Sequence, residues 1–153
     1  MVKLKGKTLK SVGLVNRKVA RMLNDMADMF VLQTKTDVNK SKDVNGNNLR
    51  KLKSSTVRQK RKKGYIDPHK PLIASGKMAK VYRTKTANEG RLMSEVDTSA
   101  RMRDIAEYHN LGKGNLPKRL WFGIGKNIKK RFDKLIRAKA KDLVITKLKT
   151  IKR

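Results

Sequence analysis

The chain has 153 residues, of which 41 are Lys or Arg and 12 are Asp or Glu, for a formal net charge of +29; the apolar share is 37% and there is no cysteine. That length sets one domain as the expectation, and that apolar share supports only a modest core opposed by strong self-repulsion. Disulfides and thiolate metal sites are excluded, as are a transmembrane helix (no apolar run is long enough) and a secretory signal, because no apolar stretch follows the basic start. The expected setting is a soluble protein made in a cytosol-like compartment, beside polyanion or a neighbouring subunit that offsets the charge.

At the start, Val2 and Leu4 alternate with lysines, which reads as a short edge strand or a basic arm over residues 1–8. Thr8 is then positioned to cap a helix. Leu9, Val12, Val15, Val19, Met22, Leu23, Met26, Met29 and Phe30 recur at helical spacing, which predicts one amphipathic helix ending near Thr34. Its Met-rich stripe reads as core, since Met fills irregular gaps well.

Residues 35–71 have the composition of an extended basic loop carrying a short helix. Eight of the fourteen residues from Arg50 to Lys63 are basic and none is acidic. Asn45-Gly46 marks a tight turn before this run, and Gly64, Asp67-Pro68 and Lys70-Pro71 break the chain after it. Ser54 or Ser55 is the expected cap of the short helix. Only Val57 supplies an apolar side, so that helix is expected to be solvated or neutralised by a partner.

Beyond the Pro-containing turn, Leu72, Ile73, Met78 and Val81 predict a short buried helix entered through Ser75-Gly76. Residues 82–86 and 91–96 flank Asn88-Glu89-Gly90, the pattern of a β-hairpin. Ala100 to Leu111 predicts a helix stopped by Gly112. Leu120 to Ile124 holds the only Trp and reads as a strand or an anchor in the core. The last helix begins near Gly125, with Ile128, Phe132, Leu135, Ile136, Ala140 and Leu143 on one face. Lys130, Lys134, Arg137 and Lys141 form a basic stripe on the other. The apolar pattern drifts past Leu143, so residues 146–153 read as a C-terminal basic arm. The predicted fold class is α+β: long N- and C-terminal helices packed on a small antiparallel hairpin, with a long basic loop, in a single domain over 1–153.

No catalytic constellation emerges. His69 and His109 lack a Cys, a second His or a carboxylate at ligand spacing, and both read as structural or surface residues. No G-x-x-x-x-G-K-S/T phosphate loop occurs, and the carboxylates form no acid–base pair. The expectation is a non-enzyme with no metal and no cofactor. Backbone contact with nucleic acid fits better than base readout, since no helix-turn-helix, zinc-finger or RNA-recognition signature is present and aromatics are 5% of the chain. Arg58, Lys60, Arg61, Lys62 and Lys63 are the first candidates to face DNA or an acidic neighbour; Lys130, Lys134, Arg137 and Lys141 are the second. Membrane-surface binding through the last helix fits less well, because its apolar face lacks Trp and contains Ala140.

The order of motifs resembles the virion morphogenesis, or tail completion, proteins of tailed bacteriophages. In that pattern a helix precedes D-x-x-G-x-x-W-x-x-L, a Ser/Thr-capped basic segment with a Lys, K-P-L-I-x-S/T-G, a hairpin, a helix ending Y-x-x-F/Y-H-x-x-G, P-x-R with a hydrophobic strand, and a C-terminal helix. Here DVNGNNLRKL runs from Asp43 to Leu52, followed by Ser55-Thr56 with Lys60, KPLIASG from Lys70 to Gly76, AEYHNLG from Ala106 to Gly112 and PKRLWFG from Pro117 to Gly123. Leu49 stands where the family usually has Trp. The likeness spans roughly residues 9–145. It implies a structural virion protein of the neck, assembled in the host cytoplasm, that forms a ring, commonly sixfold, between the head connector and the tail tube or its terminator. Six copies at +29 each would set about 170 positive charges near one duplex segment, attracting phosphate without reading bases. The alternative is a non-viral basic nucleic-acid-binding protein of ribosomal or nucleoid type; the ordered K-P-L-I-x-S-G and Y-H-N-L-G motifs discriminate against it.

Overall fold

A computed structural model describes residues 6–151. The architecture is α+β, and its longest element is α1 (Gly6–Asn39), followed by α2 (Ser54–Lys62). The hairpin strands are β1 (Tyr82–Lys85) and β2 (Glu95–Asp97), and α3 (Ala100–Leu111) and α4 (Lys126–Ile151) complete the chain.

The helix α1 is longer at both ends than the apolar period predicts. It already runs at Gly6, so Thr8 lies inside it and not at its cap; residues 1–5 of the expected arm lie outside the described residues. At the other end it continues past Thr34 to Asn39, because Val38 is completely buried and anchors a turn whose other residues are polar. Gln33 Nε2 donates to Asp37 Oδ1 at 2.8 Å and Thr36 Oγ1 to Leu32 O at 2.8 Å, supporting the same turn. The helix stops at Ser41, which takes a left-handed conformation (φ 54°), while the amides of Ser41 and Lys42 return to Val38 O and Asp37 O. That pairing is the usual glycine-ended helix stop, built here on a serine.

Residues 40–48 are not a free loop. Asp43 Oδ1 accepts the amides of Asn45 (2.9 Å) and Asn47 (2.8 Å), and Gly46 closes the turn at φ 88°. The loop then docks on the start of α4. Val44 N donates to Leu120 O at 2.8 Å, and Asn45 Oδ1 accepts Lys126 N at 3.2 Å, satisfying an amide that the first turn of α4 leaves unpaired. Leu49 follows this turn and is buried.

After the Pro-rich turn the predicted buried helix shrinks to one 3-10 turn, Lys77–Ala79, entered through left-handed Gly76; Met78 and Val81 are buried and Leu72 and Ile73 half-buried. The hairpin is antiparallel, with Tyr82 opposite Asp97, Arg83 opposite Val96 and Lys85 opposite Glu95, and a bulge between the last two pairs. At its tip Asn88 Oδ1 accepts the amides of Gly90 and Arg91. The hairpin is held to α1 by Asn24, whose side-chain amide exchanges two hydrogen bonds with the Ala87 backbone (3.0 and 2.9 Å), and by Arg83 to Asp28 at 3.1 Å.

Gly112 stops α3 at φ 70°, as its place in the sequence predicts. Trp121 is an anchor and not part of a strand: it is 1% exposed, and Asn110 supplies the pairing a strand would have given. Asn110 Oδ1 accepts Trp121 N at 3.0 Å, and its Nδ2 donates to Phe122 O at 2.9 Å. One core gathers Val38, Met78, Val81, Met102, Ala106 and Trp121, with Val31, Leu72, Ile73, Val96, Ile105 and Phe122 against it. Phe30 meets Phe122 edge-on at 5.5 Å, joining α1 to this core.

The helix α4 packs along α1 through buried Ile128 and half-buried Phe132 and Leu135. From Ile136 onward every described side chain of α4 is exposed, so Ile136 and Ala140 leave the expected core face. The backbone nevertheless stays helical through Ile151, so residues 146–151 of the expected arm continue the helix, and 152–153 lie outside the described residues.

Two glycines give opposite expectations. A Cβ on Gly125 would lie 1.8 Å from Val44 O, so Gly125→Ala must displace the docked loop and lower stability by about 3 kcal/mol or more. A Cβ on Gly13 meets nothing nearer than 3.8 Å inside a helix, so Gly13→Ala should raise stability by about 1 kcal/mol. Thermal melts of the two variants check both signs.

Candidate nucleic-acid interface

The helix α2 divides its residues between two sides. Arg58, Arg61 and Lys62 sit at i, i+3 and i+4 and are exposed, with Lys63 following them. Thr56, Val57 and Lys60 occupy the other side and turn toward the protein. No side chain caps the N-terminus, where Lys53 and not Ser54 or Ser55 holds the cap position. At the other end Gly64 N bonds Arg61 O at 2.9 Å and Tyr65 N bonds Lys60 O at 3.2 Å, closing the helix through a left-handed glycine. Arg61 and Lys62 lie in the last turn, where cations complement the helix dipole.

Lys60 departs from its expected place on the DNA-facing surface. It is 9% exposed, and its ammonium donates to three backbone carbonyls of the Pro-rich loop: Asp67 O at 3.4 Å, Lys70 O at 2.8 Å, and Ile73 O. Three donors meet three acceptors, so the cation is satisfied without a carboxylate partner. Burial drives its pKa below the ordinary lysine value, and the nearby Asp67 opposes that shift. Lys60 therefore holds α2 to the loop that follows it, which the apolar count of α2 alone did not reveal. The sign that could have shown it is helical phase: Lys60 shares a side with Thr56 and Val57, not with Arg58 and Arg61.

On α4 the stripe Lys130, Lys134, Arg137 and Lys141 is exposed along its length, and Lys126, Lys129, Arg131 and Lys139 add to it. Six ion pairs lie elsewhere: Arg17–Glu89, Arg83–Asp28, Lys85–Glu95, Arg103–Asp97, Lys113–Glu107 and Lys70–Asp67. The acids of these six pairs serve α1, the hairpin, α3 and the Pro-rich loop. Among the described residues, no carboxylate pairs with Arg58, Arg61, Lys62, Lys63 or the α4 stripe. The two basic surfaces sit on different parts of the fold, since α2 packs extensively on no other helix or strand.

A third group of cations was not singled out by sequence. Arg119 is 5% exposed, meets no carboxylate among the described residues, and donates from Nη2 to Arg50 O at 3.4 Å. His109 is half-buried beside it, with Nδ1 unpaired, and its backbone carbonyl accepts Arg119 N at 2.7 Å. Burial pushes the His109 pKa below the ordinary histidine value, and the Arg119 charge adds to that. No group of three or more His, Cys, Asp or Glu stands close enough to hold a metal among the described residues, and no described helix is long and apolar enough to cross a membrane.

Two outcomes follow. Lys60→Met should leave three carbonyls unpaired and cost about 2–3 kcal/mol, with increased hydrogen exchange over residues 65–73. A histidine whose folded pKa is depressed binds its proton more readily when unfolded, so protonation favours unfolding and stability falls as pH drops below about 6.5. Melting temperature between about pH 5 and pH 7 should fall less in His109→Gln than in the parent chain. Comparison with protein-family models, with curated proteins and with solved structures finds no match.

Proposed function

We propose that the chain is a structural subunit of a tailed-bacteriophage virion, a tail-completion protein of the neck. In this reading it assembles as a ring, sixfold by analogy, around the DNA channel between the head connector and the tail tube or its terminator. It acts by completing interfaces and by gripping DNA phosphate without base readout.

The observation that carries this reading is that motifs separated in the sequence touch one another. Lys60 of the basic segment bonds the carbonyls of Lys70 and Ile73 in KPLIASG. Asn110 of the YHNLG stretch clamps Trp121 and Phe122 of PKRLWFG, and Val44 of the DVNG turn bonds Leu120 in the same stretch. A pattern whose members hold each other in place is a folding signature, and chance agreement in motif order would not require those contacts. The exposed cations of α2 and α4, which meet no carboxylate among the described residues, supply the second support, since they offer counterion release to any duplex alongside.

Electron microscopy of virions with the subunit tagged, and of tails assembled in its absence, tests the proposal directly. Density at the head–tail junction and unjoined heads and tails in the knockout are expected; normal joining would transfer the protein to the ribosomal- or nucleoid-type class. On the DNA side, duplex affinity of the purified chain should fall by orders of magnitude between about 50 and 200 mM salt. Arg58→Glu with Arg61→Glu and Lys62→Glu should reduce that slope, which fluorescence anisotropy reads out.

A further inference from the structure

We propose that the recess between the Arg50–Lys53 stretch, the first turn of α2 and the loop from Gly114 to Arg119 is a docking site for a carboxylate carried on an acidic segment of a partner protein. The recess has a volume of about 590 Å³, and Arg119, His109, Arg50, Lys53 and Thr56 line it together with the apolar Leu52, Leu116 and Pro117. None of its lining residues is acidic. Arg119 is 95% buried by its 5% exposure, and its Nε, like Nδ1 of His109, has no hydrogen-bond partner. Buried donors without acceptors are costly, and a guanidinium is the group best shaped to take a carboxylate or phosphate through two parallel hydrogen bonds.

The surroundings favour a protein carboxylate over a DNA phosphate. A duplex is a convex rod whose phosphates meet exposed cations first, and Arg119 is withdrawn from that surface. A side chain on a flexible segment can enter a recess. The apolar walls suit the methylenes and neighbours of an acidic residue, not a sugar–phosphate backbone. Burial keeps His109 neutral, leaving it able to donate one hydrogen bond without adding repulsion to Arg119. The proposal does not depend on the DNA-gripping role, since the residues of the recess are separate from the exposed cations of α2 and α4.

The test uses the full chain and a short fluorescein-labelled peptide alternating glutamate and leucine, at physiological salt, with its glutamine counterpart as control. Arg119→Lys keeps the charge but removes the two-pronged donor, and should weaken the glutamate peptide by about tenfold. Leu116→Glu, at a position 43% exposed and so tolerant of change, should block the recess with a tethered carboxylate and weaken binding similarly. Lys130→Gln with Lys134→Gln removes more charge, yet should leave affinity within about twofold, because exposed charges far from the recess are screened. The proposal is overturned if loss of affinity follows total charge, with the α4 pair weakening the peptide as much as Arg119→Lys. It is also overturned if the glutamine peptide binds equally, or if inorganic phosphate displaces the glutamate peptide at comparable concentration. Melting curves of Arg119→Lys identify any loss due to unfolding, and Leu116→Glu then decides.

Discussion

Forty-one cations cannot be neutralised by twelve carboxylates, and every level of this fold answers to that imbalance. The acids are concentrated where α1, the hairpin and α3 must be held together: Asp28, Glu89, Glu95, Asp97 and Glu107 each meet a cation there. Most of these pairs are substantially exposed, so each contributes little to stability. Their larger effect is to remove repulsion from the part of the molecule that carries the core. The cations of α2 other than Lys60 and the described ones along α4 are exposed, open to water or a polyanion.

Two described cations are buried, and the chain treats them differently. Lys60 is drawn inward by its place on α2 and is met by backbone carbonyls, whose partial charges serve where no carboxylate is available. Arg119 is drawn inward because its amide pairs with His109 O and because Trp121, two residues on, is locked in the core. Its side chain donates only one long hydrogen bond, to Arg50 O. The contrast separates a cation with a structural task from one left ready to take an anion.

How much of this was legible in the sequence depends on whether a feature is local. The apolar period of α1, the Asn88–Gly90 turn, the Gly112 stop and the anchoring of Trp121 are all written within a few residues, and the structure bears each of them out. The end of α1 was hidden because Ser41 occupies a left-handed position that glycine normally marks. The inward turn of Lys60 was hidden because charge count outweighed helical phase. The apolar face of α4 was read correctly as a period, but a period does not say whether anything covers it, and beyond Leu135 every described side chain of α4 is exposed. The Arg119 recess is built from three separate stretches, so no single window of sequence contains it.

The docking of residues 43–47 on the start of α4 has a bearing on how the protein is made. Asn45 and Lys126 are 81 positions apart, and Val44 bonds Leu120 from nearly as far. During translation the first of these segments leaves the ribosome several seconds before the second, at the usual rate of about 5–20 residues per second. Throughout that interval the turn at Gly46 lacks the Leu120 and Lys126 contacts that dock it. The nascent chain therefore carries the basic run from Arg50 to Lys63 through a cell full of RNA before the turn beside it is fixed.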